Sequence, residues 1–131
     1  MKRIALSALL LISLVACGGG VNKADAPPVG TIWFGESFNP TTLAITGRTT
    51  TVALGAPAVL VANVGKSMKP EDLKIRASFN GEVVNDQAVS GSGVGEYWGF
   101  PITSMPAAGD WLFELLDTGG TVLASGTITV T

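Results

Sequence analysis

Residues 108–130 read AGDWLFELLDTGGTVLASGTITV, and their spacing decides the fold. Trp111, Phe113 and Leu115 fall on one side of a period-two pattern, with Leu112, Glu114 and Leu116 on the other. That is the signature of a strand with one face in a core. Asp117-Thr118-Gly119-Gly120 supplies a tight turn, after which Val122, Ala124, Gly126, Ile128 and Val130 alternate with Leu123, Ser125, Thr127, Thr129 and Thr131. This predicts a second long antiparallel strand whose threonine face is in water. Further back, Lys74–Phe79 alternates in the same way, and Asn80-Gly81 tolerates the positive φ that a two-residue hairpin turn requires. Trp98, Phe100 and Ile102 alternate on another strand, limited by Pro101 and Pro106. The runs Thr31–Phe38, Leu43–Thr46, Thr50–Leu54 and Pro57–Val64 are β-branched or aromatic and separated by Gly or Pro. Glu71-Asp72-Leu73 after Pro70 fits a single helical turn, and no longer helical stripe is present.

About seven to eight short strands within residues 31–131 predict an all-β, antiparallel two-sheet sandwich. A closed barrel is the main alternative. The stretch from Ala108 resembles the last hairpin of bacterial immunoglobulin-like and fibronectin type III-like envelope domains. In those, a Gly-x-aromatic opens the penultimate strand and a Gly-rich turn leads to a final strand of alternating Thr and Val. The chain departs from antibody domains in having no cysteine pair between sheets and no tryptophan in Leu73–Phe79.

The composition fits one folded domain. Of 131 residues, 47% are apolar and 14% charged, which favours burial over disorder. Eight basic and ten acidic side chains give a net charge of -2 and no nucleic-acid footprint. Histidine is absent, which removes Ser-His-Asp and Cys-His catalysis and the commonest ligand of zinc and copper.

The N-terminus says where the protein resides. Lys2 and Arg3 precede an apolar run, Ile4 to Ala16, that is shorter than the roughly 20 residues a spanning helix needs. It reads as the core of an export signal covering residues 1–16. The run ends Leu14-Val15-Ala16-Cys17 and is followed by three glycines. This resembles the lipobox of bacterial lipoproteins, which implies cleavage between Ala16 and Cys17 and diacylglycerol on the Cys17 sulfur. An acyl chain on the freed amino group would follow, and two or more chains make attachment to a membrane stable. In a host with two membranes, Gly18 in place of a retaining aspartate implies the outer membrane. Cys17 is the only cysteine, so no disulfide can form within the chain. Six basic and ten acidic groups remain after cleavage, so lipid rather than net charge must hold the protein to a membrane. Residues 17–30 then read as a Gly/Pro-rich tether.

Catalytic motifs are weak. Ser90-Gly91-Ser92-Gly93-Val94-Gly95 lacks the Lys of a phosphate loop and has no histidine partner for a nucleophile elbow. Glu71-Asp72 reads as a solvated turn, and Glu114 as an outward or cross-strand-paired residue. Asp110 and Asp117 lack the cadence of a calcium loop, and Met68 and Met105 lack histidines with which to hold copper. No catalytic residue, metal or cofactor is therefore assigned. Trp33-Phe34 and Tyr97-Trp98 are the candidate binding aromatics, because adjacent strand residues point to opposite faces and one of each pair can lie outside. Packing of the outer member under a neighbouring loop is the simpler expectation. Together these readings predict a non-catalytic envelope lipoprotein that binds a protein partner or a second copy of itself. The alternative is a carbohydrate- or small-ligand-binding lipoprotein using exposed aromatics. Substituting Cys17→Ser is expected to abolish incorporation of labelled fatty acid and release the protein from membranes; persistent labelling refutes the anchor.

Overall fold

The alternation at Trp111–Leu115 becomes the floor of a buried layer. The computed structural model describes residues 26–89, 93–102 and 104–131. Residues 1–16, read as an export signal, Cys17 and Ser90-Gly91-Ser92 therefore lie outside the described residues. Among the described residues ten strands run β1 (Ile32–Gly35), β2 (Ser37–Phe38), β3 (Ile45–Thr46), β4 (Thr51–Val52), β5 (Ala58–Asn63), β6 (Leu73–Phe79), β7 (Glu82–Ala88), β8 (Tyr97–Ile102), β9 (Gly109–Asp117) and β10 (Val122–Val130). Three of them are only two residues long, which accounts for the excess over the seven or eight expected. Pro70–Asp72 forms a single 3-10 turn before β6.

The strands make a three-stranded sheet β1-β5-β8, a five-stranded sheet β4-β10-β9-β6-β7 and a ribbon β2-β3. Inward residues of the smaller sheet (Ile32, Phe34, Leu60, Trp98, Phe100, Ile102) share one cluster with those of the larger (Leu73, Ile75, Trp111, Phe113, Leu115, Ile128). The architecture is thus all-β and sandwich-like. Phe34 meets Phe113 across the layer at 5.6 Å between ring centroids, and Phe79 meets Trp111 at 4.8 Å. The Trp111 indole donates to the Ala107 carbonyl at 2.9 Å, so its polar atom is satisfied inside the core.

The hairpin at Asn80-Gly81 forms with φ of 49° and 90° at its two central residues, the geometry of a type I′ turn. Asn80 Oδ1 also accepts from the Asp110 amide, tying this turn to the start of β9.

Two expectations are corrected. The sheets are not purely antiparallel, because β4 pairs parallel with β10 and Thr31 bridges Ser125 in parallel. These two short pieces cover the edge of β10 that would otherwise be unpaired. Val122 also does not share the inner face of Ala124. Val122 pairs with Leu116 and Ala124 with Leu115, so Leu123 is an extra residue in a bulge and the pleat reverses there. Val122 is left 45% exposed, while Leu123 packs on the core.

At Gly126 the β1 backbone lies directly against β10. A Cβ there would stand 2.5 Å from the Ile32 carbonyl oxygen and 2.9 Å from the Ile32 Cβ, and the first of these is backbone that cannot rotate away. Gly126→Ala is expected to lower unfolding stability by about 1–3 kcal/mol in urea titrations. Gly119→Ala, whose Cβ would meet nothing nearer than 3.4 Å, is expected to change it by less than about 0.5 kcal/mol.

Candidate functional site

Period two sends Phe34 and Trp98 into the sandwich, where they are 2% and 1% exposed. Their neighbours Trp33 and Tyr97 point to the other face of the three-stranded sheet, together with Val61 and Gly99. That face is not open to water. The chain leaves β1 at Gly35, returns as the β2-β3 ribbon, and lays Phe38, Leu43 and Ile45 over it. The loop between β2 and β3 is closed by Asn39, whose Oδ1 accepts from the amides of Thr41 and Thr42 and whose carbonyl accepts from the Leu43 amide at 2.7 Å. Leu43 is driven to φ 59°, an uncommon conformation for a leucine, and its side chain is 2% exposed. It packs where β8 has a glycine: a Cβ at Gly99 would stand 3.0 Å from Phe38 and 3.1 Å from Leu43. Burial of Leu43, Val61 and Tyr97 offsets the backbone strain.

The chain preceding β1 joins this second cluster. Ala26 is 5% exposed against Leu43, Val61 and Tyr97. Asn63, at the end of an apolar strand and itself buried, holds the next residues in place. Its Nδ2 donates to the Pro27 carbonyl at 3.1 Å and to the Glu96 carboxylate at 2.9 Å, and its Oδ1 accepts from the Gly65 amide. Residues 26–30, whose composition reads as tether, are therefore docked on the domain. No compositional signal marks this clamp beyond a lone Asn within the run Ala58–Val64.

Of the candidate aromatics, only Trp33 keeps partial exposure, and the Arg48 guanidinium lies 3.6 Å from its ring centroid. The structure thus does not bring Tyr97 and Trp33 together as an exposed stacking surface; Tyr97 is buried beneath the ribbon. The acidic candidates have local structural partners. Asp117 Oδ1 accepts from the Gly119 and Thr121 amides in its turn, and Asp110 accepts from the Thr129 hydroxyl. Glu114 stands opposite Arg76, which itself pairs with Asp86 at 3.3 Å. Met105 is fully buried in the core and Met68 packs against it. Among the described residues there is no group of three or more side chains suited to hold a metal ion, and no helix long and apolar enough to cross a membrane. Comparison with protein-family models and with curated proteins found no match for the chain.

Tyr97 offers a direct readout of the second cluster. Burial raises its pKa above the usual tyrosine value of 10, and the neighbouring Glu96 carboxylate adds to the rise by charge and by accepting the hydroxyl's hydrogen bond. The folded state therefore holds this proton more tightly than the unfolded chain. Its contribution to stability is full below pH 10 and is lost as pH climbs through the higher folded value. Because Tyr97 is the only tyrosine, tyrosinate absorbance is expected to titrate above pH 10 in the folded protein and to return to about 10 in denaturant. A folded midpoint at or below 10 contradicts the packing described for the ribbon.

Proposed function

We propose that the protein is a lipid-anchored module of a bacterial cell envelope, fastened through Cys17, that acts by binding a protein partner rather than by catalysis. The anchor rests on the resemblance of Leu14-Val15-Ala16-Cys17 to a lipobox, and outer-membrane placement in a two-membrane host on Gly18. Strand order supports an immunoglobulin-like reading of the domain. Lettered in chain order, β1, β5 and β8 correspond to A, B and E, while β6, β7, β9 and β10 correspond to C, C′, F and G. On that reading β2 and β3 are an insertion in the first strand, which resumes as β4 on the opposite sheet.

The observation that carries the binding role is the edge of the larger sheet. β7 is seven residues long and pairs with β6 alone among the described strands, leaving its other row of N–H and C=O groups without a strand neighbour. Val83 on this strand is 52% exposed. An extended segment of a partner can add there, with main-chain bonds for affinity and Val83 as an apolar contact. Glu82, Asp86 and the bulge between Asn85 and Val83 restrict that addition, which disfavours indiscriminate edge-to-edge aggregation. The glycan-binding alternative finds little support, since Phe34, Tyr97 and Trp98 are consumed by the two cores and the Trp33 ring is covered by Arg48.

A photo-crosslinking residue placed at Val83 in the lipidated protein is expected to yield a discrete protein adduct in intact cells. The same residue at Thr127, on the exposed face of β10, is expected not to. Equal patterns from both positions, or no adduct from Val83, argue against partner binding at this edge.

A further inference from the structure

We infer that the end of the sandwich carrying Val29, Lys66 and Lys69 is the surface that rests on lipid headgroups. The inference depends on the proposed lipid at Cys17 and adds an orientation to it. Between Cys17 and the docked Ala26 the chain can reach at most roughly 30 Å. The nine residues of β10 make the sandwich itself about 30 Å long. Touching the membrane with the far end would need the segment to be drawn straight along the whole domain. Touching it with the near end needs no such extension.

The near end is defined by the clamp. The Pro27 carbonyl is bonded to Asn63, Gly30 N–H donates to the Asn63 carbonyl, and Val29, 66% exposed, stands beside Gly65. Gly65 leads directly into an open depression lined by Lys66, Ser67, Met68, Lys69 and Asp72. The described residues contain five basic side chains. Lys74 and Arg76 meet Asp86, and Arg48 covers Trp33. Lys66 and Lys69 are exposed and form no ion pair with any described residue. Two lysines near an anionic leaflet are worth about 1 kcal/mol each, short-ranged and screened by salt. The acidic groups at this end moderate that attraction: Glu71 and Asp72 lie on the following turn, Asp117 opens the β9-β10 turn, and Glu96 is engaged by Asn63 and Tyr97. The opposite end presents Glu82 and Asp110 beside the Asn80-Gly81 turn. Both ends carry carboxylates, and the far end exposes Leu54 beside Thr131. What sets the near end apart is the docked chain from Cys17 and two exposed lysines without an ion pair among the described residues.

The test uses the lipidated protein on vesicles of zwitterionic lipid with about one-third anionic lipid and a headgroup-attached quencher. A fluorophore is attached to a cysteine introduced by Ser67→Cys or, separately, by Thr131→Cys at the far end; Cys17 is occupied by lipid and does not compete. The label at 67 is expected to be quenched roughly threefold or more above that at 131, because the ends are separated by about the strand length. Lys66→Glu with Lys69→Glu is expected to reduce the difference below about twofold. Equal quenching of the two labels on vesicle-bound protein overturns the orientation, and a full difference retained in the double variant overturns the role of the lysines. Protein that does not float with the vesicles and carries no lipid by mass spectrometry overturns the anchor reading itself.

Discussion

The contact of Phe34 with Phe113 across the buried layer is the constraint from which the rest of the architecture follows. Each ring belongs to a period-two stripe, so seating one against the other decides which face of β1 and which face of β9 leave water. The β1 backbone must then pass close to β10, and Gly126 is the residue that permits it. Once the inward faces are committed, the bulges at Leu123 and within β7 let the strands keep pairing while an additional apolar side chain turns toward the core. Irregularity here follows from packing, not from weak pairing.

A second constraint shapes the outer face of the smaller sheet. In a plain two-layer sandwich that face would be solvated, and Tyr97, Val61 and Trp33 would form an apolar patch. The β2-β3 ribbon and residues 26–30 cover most of it instead. The cover combines a strained Leu43, a glycine opposite it at 99, and the Asn63 bonds to Pro27 and Glu96. The same contacts that bury Tyr97 also fix where the chain coming from Cys17 meets the domain. On the proposed lipid anchor, folding of the sheet's outer face and placement of the protein at a membrane are linked through one set of residues.

The strands were legible where the pattern was long and uninterrupted. Trp111, Phe113 and Leu115, Trp98, Phe100 and Ile102, and the Asn80-Gly81 turn all sit as their spacing implies, because burial on one face enforces alternation. Val122 did not follow its pattern, since a bulge reverses the pleat and leaves no mark in residue types. The parallel pairing of β4 was equally invisible, as it involves two residues whose partner lies far along the chain. Among the candidate aromatics, adjacency correctly implied opposite faces. Whether the outer face was wet depended on a ribbon inserted elsewhere.

Period, turn chemistry and the residues around Cys17 are local properties, and they sufficed for an all-β domain and for an expectation of lipid attachment. Which aromatics are covered, where the chain before β1 docks and which lysines stay without a carboxylate partner depend on contacts between segments distant in sequence. Pairwise burial has no signature at a single position: Tyr97 would read the same whether Leu43 and Ala26 lay over it or water did.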